Sequence, residues 1–273
     1  MKDILQEAYE LKREIIGEGS HLKKELRVLG RIVSYREGGI TLEPDPQHLD
    51  VALHELELVG CRGVASPGAR DVSERSAESL RQIRLGLLKS TVADQSDSSP
   101  PLDPDMAKRY VSVAARLNYL AMDRGDIAFS VKELMRFISS PCENNLIALK
   151  RVARYLVTAP RLVQWYKWGP MGDSIDIYVD ANWAGCLKTR KSTIGGAILW
   201  GAKYIKGWAK TMPVLALSTG ESELAAVTKG ISEALGCQSL LSDFGHDVSI
   251  NIFSDATAAI SICRRQGLAP GNR

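Results

Sequence analysis

Asp180, Glu223 and Asp255 each stand where a regular element meets a turn, in the order strand, helix, strand. Carboxylates so placed can converge on one point and hold a divalent cation through oxygen ligands. Asp180 closes the run Ile175-Asp176-Ile177-Tyr178-Val179-Asp180, whose apolar residues alternate as in a strand buried on one face. Asp255 closes a similar run, Ile250-Asn251-Ile252-Phe253-Ser254-Asp255. Between them Ser218-Thr219-Gly220-Glu221 has the form of a capping box, in which the serine accepts from a backbone N–H and the glutamate reaches back. That assigns Glu221 to the cap and leaves Glu223, in the second helical turn, for other work. Taken singly, an aspartate after a strand is commonly a turn or cap residue, and Glu223 reads as a solvated helix position. Together they read as a metal site. Clustered carboxylates away from water repel one another, and the relief is a bound cation or a raised pKa. Mg²⁺ suits the set best, because it prefers hard oxygen ligands and no His or Cys is near in sequence. Two such ions about 4 Å apart activate water and stabilise a leaving oxygen in phosphodiester hydrolysis.

The elements that must position these groups follow from periodicity. Strands are expected at 174–181, 192–200 and 203–208, then a long helix over 219–241, a strand at 249–254 and a helix over 256–265. On the long helix, Leu224, Val227, Ile231 and Leu235 form the stripe expected to face the sheet. Gly201-Ala202 turns the second and third strands into an antiparallel hairpin. The first and fourth are joined across the rest of the sheet and the long helix, so they can run parallel and adjacent, with a ligand crevice at their carboxyl ends. Upstream, helical spacing marks 104–121, 126–139 and 143–157, the last with Leu146, Leu149, Ala153 and Leu156 on one side. Before these, 26–42 reads as a hairpin turning at Glu37-Gly38-Gly39, and 46–58 has helical spacing. Two soft segments, 92–105 (rich in Ser, Asp and Pro) and 167–173 (Gly169-Pro170, Gly172), divide the chain into 1–100, 101–169 and 170–273. The fold class expected is α/β, a mixed sheet with flanking helices preceded by a mostly helical region.

With 45% hydrophobic and 25% charged residues over 273 positions, the chain has ordinary globular composition. No apolar run approaches the roughly 20 residues that span a bilayer, and Met1-Lys2-Asp3-Ile4 lacks a signal pattern, so no membrane partner and an intracellular location are expected. The five cysteines are scattered and never form a C-x-x-C pair, which reads as free thiols. A net charge of +3 is compatible with a nucleic-acid partner without demanding one. Lys150, Arg151 and Arg154 form a basic helical cluster that tracks a phosphate backbone or is simply solvated. Ser192 and Thr193 are candidates for hydrogen-bonding a phosphate or sugar hydroxyl, or else ordinary strand residues.

At the carboxylates the sequence resembles a known family. Tyr178-Val179-Asp180-Ala181-Asn182-Trp183-Ala184-Gly185, Arg190-Lys191-Ser192-Thr193, Ala216-Leu217-Ser218-Thr219-Gly220-Glu221-Ser222-Glu223 and Phe253-Ser254-Asp255 resemble, in order and spacing, the ribonuclease H domain of copia-type LTR-retrotransposon polyproteins. Tyr119-Leu120-Ala121-Met122-Asp123-Arg124-Gly125-Asp126 and Ala148-Leu149-Lys150-Arg151-Val152-Ala153-Arg154-Tyr155-Leu156 are similar to the connection preceding that domain, and Leu29-Gly30-Arg31-Ile32 to the end of the reverse transcriptase. The resemblance implies a ribonuclease H-like fold at 170–273, a helical connection at 101–169 and a reverse transcriptase remnant with linker at 1–100. It implies Mg²⁺ held by Asp180, Glu223 and Asp255, hydrolysis of the RNA strand of an RNA–DNA hybrid, and the polymerase part of the polyprotein as a partner. It also implies a fourth acidic ligand further on. No Asp or Glu follows Asp255, so the domain is expected to be truncated and activity put in doubt, the alternative being an inactive fragment that binds nucleic acid or packs on a polymerase. Asn182 stands where the family commonly has a second acid, and no polymerase site accompanies Tyr178-Val179-Asp180-Ala181.

Overall fold

Among the residues described in this computed structural model, 14–68, 99–186 and 189–264, the chain is mixed α/β with two four-stranded sheets and six helices. Half of the soft segment at 92–105 (residues 92–98) and the last residue of the expected 256–265 helix lie outside the described residues. Two compact units form, the first from residues up to Asp45 with Arg161–Pro170, the second from Pro46–Pro160 with the residues from Met171 onward.

The first unit is an antiparallel sheet of β1 (Glu25–Val28), β2 (Arg31–Arg36), β3 (Gly39–Pro44) and β4 (Gln164–Lys167), in that order. The expected hairpin is β2–β3, and its turn needs the left-handed backbone that Gly38 supplies at φ 83°. β4 falls where the sequence shows the end of a helical region. Its four residues are too few to display a period, and they pair with β3 far away in sequence, Thr41 opposite Trp165. Arg161 anchors this closure with a two-pronged ion pair to Glu43, 2.8 and 2.7 Å.

In the second unit, α1 (Gln47–Glu55), α2 (Pro104–Leu120), α3 (Gly125–Met135) and α4 (Glu143–Thr158) enclose a core of Tyr110, Val113, Leu117, Ile127, Val131, Leu149, Val152 and Leu156. α2 starts as its sequence dictates, with Asp103 accepting from the N–H groups of Asp105 and Met106 and Pro104 in the first turn. The same unit contains β5 (Ser174–Asn182), β6 (Thr193–Trp200), β7 (Lys203–Thr211), α5 (Thr219–Asp243), β8 (Ser249–Phe253) and α6 (Thr257–Arg264). The sheet order is β7-β6-β5-β8, antiparallel except for the parallel pair β5–β8. The unit thus runs across position 169/170, where the sequence shows a boundary. Lys132 of α3 is one tie, donating to Thr193 Oγ1 and Thr211 Oγ1 at 2.9 and 3.2 Å.

Ile175, Ile177 and Val179 of β5 lie under α5, as the alternation requires. The face that α5 buries keeps Val227 of the expected stripe but departs from it at Ile231 and Leu235. Ser222, Glu223, Ala226, Val227, Gly230 and Ala234 are buried, whereas Ile231 and Leu235 are exposed. Small residues let the helix axis approach the sheet, and the larger apolar side chains fall on its flank. At Gly230 the approach is closest: a Cβ there would sit 2.6 Å from Val179 Cγ1 and 3.2 Å from Ile177 Cγ2.

Candidate metal centre

The parallel register pairs Tyr178 with Phe253, so two residues on, Asp180 and Asp255 come together at the carboxyl ends of neighbouring strands. The preceding rungs on that side are polar and aromatic. Asn251 donates to Asp176 at 3.0 Å, and the rings of Tyr178 and Phe253 stack with centroids 4.9 Å apart. On its other side Asp180 faces Gly195 of β6, which adds no side chain to the crevice.

Glu223 arrives from α5. Ser218 accepts from the Glu221 N–H at 3.1 Å, and Glu221 reaches back as a capping-box glutamate does, but to the Leu217 N–H at 2.6 Å, one residue before the cap. With Glu221 committed to the cap, Glu223 turns inward and is only 8% exposed. One oxygen from each of Asp180, Glu223 and Asp255 lies within 4.8 Å of the others. Among the described residues no other group of three or more His, Cys, Asp or Glu side chains converges in this way.

Burial pushes the Glu223 carboxyl above the usual glutamate range, and the charges of Asp180 and Asp255 push it further. A hydrogen bond from the Ala181 backbone N–H opposes them without cancelling the rise. Glu223 Oε2 is buried and has no hydrogen-bond partner. A buried acceptor left bare beside two further carboxylates is the electrostatic setting in which a cation is stabilised. All three donors are oxygen, so the centre fits a hard divalent ion.

The other sequence candidates do not join this cluster. Ser192 is completely buried, and its Oγ accepts from the Ala184 N–H at 3.0 Å, holding a residue with φ 50°. Thr193 is half-buried and occupied by Lys132. On α4, Arg151 donates to Ser66 Oγ at 3.2 Å and Arg154 to the Arg62 carbonyl at 2.8 Å, so both fasten the segment following α1; Lys150 is half-buried. Two features beside the centre escaped the sequence reading, the Ala181 N–H that donates to Glu223 and the close approach of Gly230 to β5. The signal for the second was present, since Gly230 follows Glu223 by seven residues and shares its helix face.

Fold and site together define a mixed α/β protein in which three converging carboxylates at the ends of parallel strands could hold a metal ion. No family model matches the chain and no solved structure matches it. The retrovirus-related Pol polyprotein from transposon RE1 of Arabidopsis thaliana is 33% identical over 156 residues, covering 56% of this chain and 11% of that protein. Its counterpart from transposon RE2 is 30% identical over 235 residues, 82% of this chain and 16% of that protein. The secreted RxLR effector protein 161 of Plasmopara viticola is 32% identical over 127 residues, 46% of this chain and 89% of that protein. The Pol homologues, at 30–33% identity, are polyproteins of copia-type transposons, consistent with a retrotransposon polyprotein fragment, and the chain spans about one sixth or less of the length of the two Pol relatives. No helix among the described residues is long and apolar enough to cross a membrane.

Proposed function

We propose that the unit carrying Asp180, Glu223 and Asp255 is a ribonuclease H-like domain that hydrolyses the RNA strand of RNA–DNA hybrids with Mg²⁺. The carrying observation is the convergence of three carboxylates from a parallel strand pair and a helix start, one of them with a bare, buried oxygen. In this reading residues 170–273 are the ribonuclease H-like domain, 101–169 the connection and 1–100 a reverse transcriptase remnant with its linker.

Asp180 and Asp255 are open to solvent and would meet the ion from the crevice side, with Glu223 holding it from the protein side. Bound there, Mg²⁺ would polarise the scissile phosphodiester and lower the pKa of an attacking water. Glu223 keeps its oxygens fixed because α5 is capped at Ser218 and packed on β5, and the Ala181 N–H orients the carboxylate. Its raised proton affinity makes ion binding compete with protonation, so cleavage should rise with pH as that proton leaves.

The test is cleavage of a labelled RNA–DNA hybrid in Mg²⁺ by the wild type and by Asp180→Asn. Loss of cleavage in the variant, with salt-dependent hybrid binding retained, supports the proposal. Equal background from both proteins would reject hydrolysis and leave the nucleic-acid-binding or polymerase-packing fragment as the better description.

A further inference from the structure

Gly230 lies two turns along α5 from Glu223, on the same buried face, and it rests on β5, the strand that carries Asp180 near its carboxyl end. An added Cβ would lie 2.6 Å from Val179 Cγ1 and 3.2 Å from Ile177 Cγ2. Both neighbours are buried branched side chains in the packed interior of β5, with Val179 6% and Ile177 0% exposed. They cannot swing aside as the end of a flexible chain would, because stiff β-branched rotamers and close packing hold them. The strain of any larger residue must therefore be relieved by moving the helix.

We infer that Gly230 is a positioning residue for the carboxylate centre: its missing side chain sets the distance between α5 and β5, and so brings Glu223 within reach of Asp180, Asp255 and the Ala181 N–H. Helix interiors disfavour glycine by about 1 kcal/mol relative to alanine, so a packing role accounts for its presence here. Gly236 supplies the contrast, since a Cβ there would meet nothing within 4 Å. The shape of the contact also says what should compensate. Val179 Cγ1 is the nearer obstacle, so trimming Val179 to alanine reopens the space for a residue 230 methyl. The inference deepens the metal-centre reading in its consequence for cation binding, while the helix position it asserts can be read without any metal.

The experiment compares wild type, Gly230→Ala, Gly236→Ala and the double variant Gly230→Ala with Val179→Ala. Metal-free NMR reads the Ala181 amide shift and its hydrogen-exchange protection, and calorimetric titration with Mg²⁺ alone reads affinity. Gly230→Ala is expected to reduce Ala181 protection and to weaken Mg²⁺ binding about 10–100-fold, the loss typical when a group that orients a metal ligand is removed. Gly236→Ala should change neither, and the double variant should recover Ala181 protection. Unchanged Ala181 protection in Gly230→Ala, or no recovery in the double variant, would overturn the inference. Failure of the wild type to bind Mg²⁺ would instead count against the metal-centre reading, and the amide measurement would still decide the role of Gly230.

Discussion

Replacing Glu223 by glutamine should make the metal-free protein more stable and the metal-loaded protein less so. The side chain keeps its shape and loses a charge that the structure holds within 4.8 Å of two others. Even at the dielectric of water, two unit charges at that distance repel by about 0.9 kcal/mol. Two pairs give about 2 kcal/mol, and screening at physiological salt, where the Debye length is about 8 Å, brings this to about 1 kcal/mol. Burial of the charged form adds to the gain. The pH dependence has a definite sign. Because the folded protein raises the Glu223 pKa, its contribution to stability is complete below the ordinary glutamate range and is lost as pH rises through the raised value. Wild-type stability in EDTA should therefore decline across that window, and Glu223→Gln should lack that decline. Thermal melts in EDTA near pH 8 should place the variant higher, at about 2–4 °C for each kcal/mol. In excess Mg²⁺ the wild type should gain and the variant should not, so the order reverses. A variant less stable than wild type in EDTA, or an equal Mg²⁺ gain in both, would refute the account of this centre as mutually repelling carboxylates relieved by a cation.

Ser192→Ala removes the acceptor that holds the Ala184 N–H, so it should destabilise the second unit by about 1–3 kcal/mol in urea unfolding while leaving hybrid affinity per folded molecule unchanged. At Cys186, burial alone would raise the thiol pKa, but donors at Thr189 and Arg136 outweigh it and lower the value to about 7. Its alkylation rate should therefore reach half-maximum near pH 7, and Arg136→Ala should shift that midpoint upward, as peptide mapping of iodoacetamide adducts over a pH series would show.

β5 and β8 were legible because each alternates over enough residues to show its period, and Asp180 and Asp255 were legible because they close those alternating runs in the sequence. The helix start at Ser218 was written in its capping sequence. What periodicity could not supply was residue volume. Ranking α5 by hydrophobicity selects Ile231 and Leu235, whereas close approach to β5 selects Ala226, Gly230 and Ala234. β4 was hidden because its partner lies more than a hundred residues away and its own run is short. The basic residues of α4 carry charge that suits phosphate, yet Arg151 and Arg154 serve a neighbouring loop, a distinction visible only once the loop is placed. Ser192 likewise reads as exposed chemistry until the turn at Ala184 closes over it.

The parallel pairing of β5 with β8 also dictates when the centre can come into being. Residues 75 positions apart, such as Asp176 and Asn251, must be brought together before the register aligns the two aspartates, and closing so long a loop is an entropic cost incurred ahead of any contact it permits. The centre therefore needs the whole stretch from β5 through α5 to β8 in place before its three carboxylates can meet. A cation that binds only the finished arrangement draws the population toward it by mass action. In this chain the acidic cluster is a mark of completed topology, because its three carboxylates meet only when β5, β8 and α5 are all in place.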